Sequence, residues 1–251
     1  MSTIRSLLFA LLALTWFVPS AWAGEPTARE ILDRVDDVYR GRSAKGEMTM
    51  TVINPNYTRQ LTLRFWSRGK DKSLIRIWLP KKERRTATLK NGNNIWNYLP
   101  KVDRTIKIPS SMMGGSWMGS DFTNDDLVKE SRMADDYTSS ITFKGERGGQ
   151  QVIMVTCIPK PNAAVVWGKL VVTVRQSDLL PERVLYYKED GSLARQLSFT
   201  DIRTFGSRTL PSRMTMIPLD KPGHSTVILY QNIEFDVTLP GNTFTVANLR
   251  N

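Results

Sequence analysis

The sequence predicts a mainly β protein, an up-and-down antiparallel meander joined to one substantial helix. Three observations lead there. Apolar residues recur at every second position in segment after segment, and short turns such as Asn54-Pro55-Asn56, Asn91-Gly92, Gly148-Gly149 and Asp190-Gly191 separate the segments. Only one long stretch, Pro26 to Tyr39, carries apolar residues at helical spacing. Connections this short exclude parallel crossovers. A meander of this kind twists and curls, and its apolar face has to be covered by something.

Met1 to Ala23 reads as an export leader: Arg5, an apolar run from Leu7 to Val18, Pro19, then Ala21-Trp22-Ala23 as a small-x-small cleavage site. The run is short for the roughly 20 residues of a membrane span, and no cysteine follows the cleavage site. The expected mature chain is one soluble domain, residues 24–251, in the periplasm. In the helix that follows, Thr27 and Glu30 have capping-box spacing, and Ala28, Ile31, Leu32, Val35, Val38 and Tyr39 form one stripe. Gly41 ends it.

Strands are then predicted at 46–54 (Met48, Met50 and Val52 on one face), 58–66, 73–79, 85–90, 94–99 and 105–108. Arg64 and Trp66 share a parity, as do Arg76 and Trp78, so these residues form either a lining or an outer-face cation–π set. Seven further strands are expected between 139 and 233. These segments number thirteen, near the roughly 11–12 strands expected of the sheet, with boundaries uncertain by ~2–4 residues. The lone cysteine, Cys157, alternates with Ile153 and Val155 and reads as a small core residue.

Between the two β regions lies a glycine-hinged loop, Arg104 to Leu127, that holds Met112, Met113, Trp117, Met118 and Phe122. A solvated connection would not carry this much apolar surface, so the loop meets either the core or a cargo. Thr123 and Asp126 have the spacing of a second capping box. Asp121 is a candidate latch onto Arg104.

The formal charge of +11 falls to +10 when Arg5 leaves with the leader. That favours anionic partners, and for an exported protein an anionic membrane surface outranks nucleic acid, for which no reading helix or RNA-binding motif is present. Catalytic chemistry has little support. His224 is the only histidine, no serine sits in a nucleophile elbow, and there is no metal-spaced Cys/His cluster or phosphate-binding glycine loop. Neither an enzyme nor a cofactor is expected.

The run Ile95-Trp96-Asn97-Tyr98-Leu99-Pro100, then Arg104, then Met118-Gly119-Ser120-Asp121-Phe122-Thr123-Asn124-Asp125-Asp126-Leu127, resembles the LolA-like family of exported outer-membrane lipoprotein-sorting proteins. Gly46 to Met50 and Lys72 to Ile75 are also similar to that family. The resemblance implies a half-open, strongly curved antiparallel sheet or barrel with helices in or over an apolar concavity. It implies a periplasmic carrier or chaperone that shelters acyl chains of lipids or lipoproteins. The alternative is a binding or regulatory module that senses lipidated ligands or partners a membrane hydrophobe exporter. An inner-membrane transporter or outer-membrane acceptor is the partner so implied. Candidate ligand-binding residues are Met48, Met50, Trp78, Trp96, Tyr98, Met112, Met113, Trp117, Met118 and Phe122, with Arg104, Asp121, Thr123 and Asp126 as latch and cap.

Overall fold

The computed structural model describes residues 25–129, 133–163 and 165–250. The expected leader, residues 1–23, lies outside the described residues. Helix α1 (Ala28–Asp37) begins where its capping box closes: Thr27 Oγ1 accepts from Glu30 N at 3.2 Å, and Glu30 Oε2 accepts from Thr27 N at 2.8 Å. At ten residues it is too short to be stable alone. Its buried stripe of Ile31, Leu32 and Val35 holds it against the rest of the protein.

Thirteen strands form a single sheet. They are β1 (Ser43–Asn54), β2 (Tyr57–Arg68), β3 (Lys72–Leu79), β4 (Ala87–Asn91), β5 (Asn94–Leu99), β6 (Arg104–Lys107), β7 (Tyr137–Arg147), β8 (Gln150–Pro159), β9 (Lys169–Arg175), β10 (Pro181–Tyr187), β11 (Leu193–Phe205), β12 (Arg208–Pro218) and β13 (Ser225–Phe235). Their order across the sheet is β6-β5-β4-β3-β2-β1-β13-β12-β11-β10-β9-β8-β7. Two meanders are thus joined at the centre, where the first and last strands pair antiparallel. The sheet is curved but not closed, which corrects the barrel form of the expectation. Its edge strands β6 and β7 do not pair; β6 has only four residues, and the chain that leaves it crosses the sheet instead.

The strand alternation fixes which face is greasy. Met48 pairs with Leu63 and Met50 with Leu61, so the concave side of the centre is apolar. One core runs over that side from Ile75 and Ile77 through Met216 and Leu197 to Val172 and Val155, with Ile31 and Leu32 of α1 set into it. Cys157 belongs to it, and burial pushes its thiol up to about 12. After β13 the last residues fold back over the convex side of β3–β5. There Leu239, Phe244 and Leu249 form a second core with Leu74, Leu89 and Tyr98. This half of the sheet is therefore buried on both faces.

Gly46 marks where backbone and ring come closest. A Cβ on it would lie 2.2 Å from Asn232 O on β13 and 2.8 Å from the Phe65 ring. The β1–β13 register shifts between the next two residues, Glu47 and Met48. Gly46→Ala is expected to lower stability by ~1–3 kcal/mol or more, as overpacking against backbone does; urea unfolding against wild type measures it, and a loss below about 0.5 kcal/mol would contradict this reading.

Candidate ligand cavity and its strap

Residues 108–136 join the two edges of the sheet, and their partners step across its concave side in order. Ile108 N donates to Ile95 O of β5 at 2.9 Å. Trp117 Nε1 donates to Thr88 Oγ1 of β4 at 3.1 Å. Arg59 of β2 donates to Met118 O at 2.8 Å. Thr226 of β13 donates from its hydroxyl to Asp121 Oδ2 at 2.7 Å and accepts from Asp121 N at 3.0 Å. Arg195 of β11 donates to Asp126. The segment is a strap over the open side of the sheet. Its turn at Met118-Gly119 has positive φ, 50° and 73°, and Gly119 supplies the residue best suited to it.

The strap ends in two short helices, α2 (Asn124–Lys129) and α3 (Met133–Asp136). The expected capping box starts α2: Asp126 N donates to Thr123 Oγ1 at 3.2 Å and Thr123 N to Asp126 Oδ2 at 2.7 Å. Asp126 has a second role. Its side chain is 9% exposed and that of Arg195 5%, and the guanidinium grips both carboxylate oxygens. The rings of Trp167 and Tyr186 lie 4.4 and 4.2 Å from the Arg195 guanidinium. A charge this deep is tolerated only with such bidentate and aromatic company. Arg195 is the site residue that sequence reading missed.

Beneath α1 and the strap lies a cavity of about 160 Å³. Val35 of α1 and Tyr39 from the turn after it roof the cavity, with Leu127 and Met133 from the strap; Met48, Phe65, Ile75, Val184, Phe199, Met214 and Tyr230 come from seven strands of both meanders. Asp126 also lines it, so the ion pair is part of the cavity wall.

Of the candidate ligand-binding, latch and cap residues, the cavity gathers Met48 and Asp126, and Trp66 lines it as well. Met50, Trp117 and Phe122 are buried in the core, Trp117 at 1% exposed, and Met118 packs against that core from its edge. Met113 is half-buried and Met112 exposed. Trp78 is on the convex side, held 3.8 Å from the Arg64 guanidinium and 3.7 Å from that of Arg84. Tyr98 and Trp96 belong to the second core under the C-terminal residues, where the Tyr98 hydroxyl donates to Asp103. Arg104 is exposed on β6, whereas Asp121 is held by Thr226, with His224 Nδ1 at 4.0 Å. Among the described residues no cluster of His, Cys, Asp or Glu could hold a metal, and no helix is long and apolar enough to cross a membrane.

One charged group in the cavity wall is out of place. Asp36 of α1 is 5% exposed, and burial raises its carboxyl from 3.8 to about 7 despite the opposing pull of Arg40 and Lys70. Between about pH 4 and 7 the folded protein therefore holds a proton that the unfolded chain has released, so this group makes stability fall as pH rises through that window. Asp36→Asn is expected to be more stable than wild type at about pH 8, by up to roughly 4 kcal/mol, with the difference vanishing below about pH 4; thermal unfolding across pH reads it, and a pH-independent difference would contradict it. Breaking the other buried charge has the opposite sign. Arg195→Met leaves Asp126 buried and unpaired and is expected to cost roughly 3–5 kcal/mol, much of it recovered in Arg195→Met with Asp126→Leu; a single-variant loss under about 1 kcal/mol in urea unfolding would contradict the burial.

A family model described as "Uncharacterized protein"-like matches residues 69–251. No curated protein matches the chain by sequence. Solved structures do match in fold. A domain described as outer membrane lipoprotein-sorting, from Vibrio parahaemolyticus, is 24% identical over 89% of this chain and 98% of its own, with a TM-score of 0.79. A DUF1329 family protein from Desulfovibrio piger is 22% identical over 88% and 97%, TM-score 0.81. A LolA superfamily protein from Nitrosomonas europaea is 20% identical over 89% and 99%, TM-score 0.75. The family model spans well over half of the chain, so the chain belongs to the family that model describes, and it shares its fold almost from end to end with these lipoprotein-sorting, DUF1329 and LolA superfamily structures.

Proposed function

We propose that the protein is a non-enzymatic periplasmic carrier that holds the acyl chains of lipids or lipidated proteins in the cavity between α1, the strap and the curved sheet. The observation that supports this most is the cavity itself, apolar on most of its wall and roofed by elements that do not belong to the sheet. Lipoprotein-sorting and LolA superfamily structures of the same fold lend the reading further support. Delivery would be to a membrane transporter or an outer-membrane acceptor, with the basic mature chain drawn to anionic surfaces on the way.

At about 160 Å³ the cavity is smaller than the roughly 300–1,000 Å³ of pockets that take drug-sized ligands. A whole acyl chain therefore enters only if α1 and the strap move outward. Among the contacts that resist are Arg195 with Asp126, Thr226 with Asp121, and Lys70 with Asp33 at 2.8 Å. Each methylene that leaves water contributes about 0.8 kcal/mol, so about ten of them can offset the loss of such a set. Loading and opening are then one equilibrium, and any partner that pulls the strap outward releases the cargo.

Titration with a fluorescent acyl probe tests this. Saturable binding is expected, weakened at least about tenfold, or 1.4 kcal/mol, in Met214→Trp, whose indole fills the cavity. Absence of saturable binding, or equal affinity in a folded Met214→Trp, would overturn the carrier reading.

A further inference from the structure

One end of the cavity is polar. Asp36 lines it with Arg40 of the same chain turn and with Ser67 and Ser73, which face each other across β2 and β3. The Asp36 side chain is 2% exposed. Its Oδ2 and the Ser67 hydroxyl are both buried, and neither has a hydrogen-bond partner. Lys70 Nζ stands 3.6 Å from that oxygen and makes its shorter contact, 2.8 Å, with Asp33. Arg40 Nε donates to the backbone carbonyl of Asp36 at 3.2 Å instead of to the carboxylate.

Two buried polar atoms without a hydrogen bond in the wall of a mostly apolar cavity, one of them with only the 3.6 Å ion pair to Lys70, cost free energy that a ligand can relieve. The surrounding charges decide what kind of ligand. An anionic head would face Asp36, and a cationic one would face Arg40 and Lys70. Only an uncharged donor satisfies the carboxylate oxygen without meeting a like charge.

We propose that this end of the cavity is a headgroup subsite for an uncharged hydrogen-bond donor, a hydroxyl or amide N–H at the head of an acyl chain, with Asp36 Oδ2 accepting and the Ser67 hydroxyl making the second hydrogen bond. The subsite rests on the carrier reading and adds selectivity to it. An acyl chain whose head lacks a donor leaves both atoms orphaned, and sites of that kind discriminate against the analogue that cannot bond. The raised titration of Asp36 is the electrostatic counterpart of the same burial, and at about pH 8.5 the group is ionised and able only to accept.

Displacement of the acyl probe by 1-oleoylglycerol and by methyl oleate at that pH separates the possibilities. Wild type is expected to prefer 1-oleoylglycerol by about tenfold, the size of one good charge-assisted hydrogen bond. In Asp36→Ala that preference is expected to fall to within about threefold, and in Ser67→Ala to fall part of the way. Equal displacement by the two in wild type, or an unchanged preference in Asp36→Ala, overturns the subsite and leaves the carrier standing, because methyl oleate still binds. If neither compound displaces the probe, the carrier reading falls and the subsite with it.

Discussion

The buried ion pair between Arg195 and Asp126 is the contact on which the closed form of this protein depends. A curved sheet with two free edges has an apolar hollow that water would fill, and α1 and the strap cover it together with Val165, Trp167 and Leu179 from neighbouring loops. The strap is anchored first on β5 and β4 and further along on β11, and the β11 anchor is a charge pair in the cavity wall. Such a pair adds little to stability relative to apolar residues, yet breaking it by losing one partner is expensive. In the proposed opening it would act as a catch, firm while both groups are matched. Since Asp126 both caps α2 and accepts from Arg195, undoing the catch also loosens the helix that roofs the cavity.

The two halves of the sheet are not equivalent. On the β3–β5 side the C-terminal residues add a second core on the convex face, and Arg76 and Arg68 reach over Trp66 and Phe244 there. Trp117, wholly buried with its indole N–H on Thr88, fastens the strap to this doubly covered half. The far end of the strap rests on β11, β7 and α1, where Arg29 holds Ala134 O and Asp135 at 2.9 Å each. In the proposed opening, Trp117 belongs to the end that stays fixed, and Leu127 and Met133 to the end that would move once the Arg195 and Arg29 contacts part.

Much of this was legible in the chain. Period-two alternation and short turns specify the meander because they are local signals. The boxes at Thr27–Glu30 and Thr123–Asp126 mark their helix starts for the same reason. What stayed hidden depends on pairs far apart in sequence. Arg195 sits in a strand as one basic residue among many, and nothing local separates it from the solvated arginines around it. Asp36 next to Asp37 reads as the wet side of an amphipathic helix, although it is turned into the cavity. The loop aromatics were correctly apolar in purpose, but periodicity could not say whether core or cargo would meet Trp117, and the core does. The C-terminal residues carry no period at all, so their role as a convex-side cover emerges only in three dimensions.

A hollow sealed by a strap makes physical sense as a place for a guest chain whose own burial offsets the opening. Native mass spectrometry of the protein purified gently from its cell envelope tests that claim most directly. A population carrying an added mass that dissociates as an acyl-bearing lipid or lipopeptide, and that is absent from Met214→Trp, is the expected result. A single unadducted mass for wild type, unchanged after incubation with envelope lipids, would contradict it.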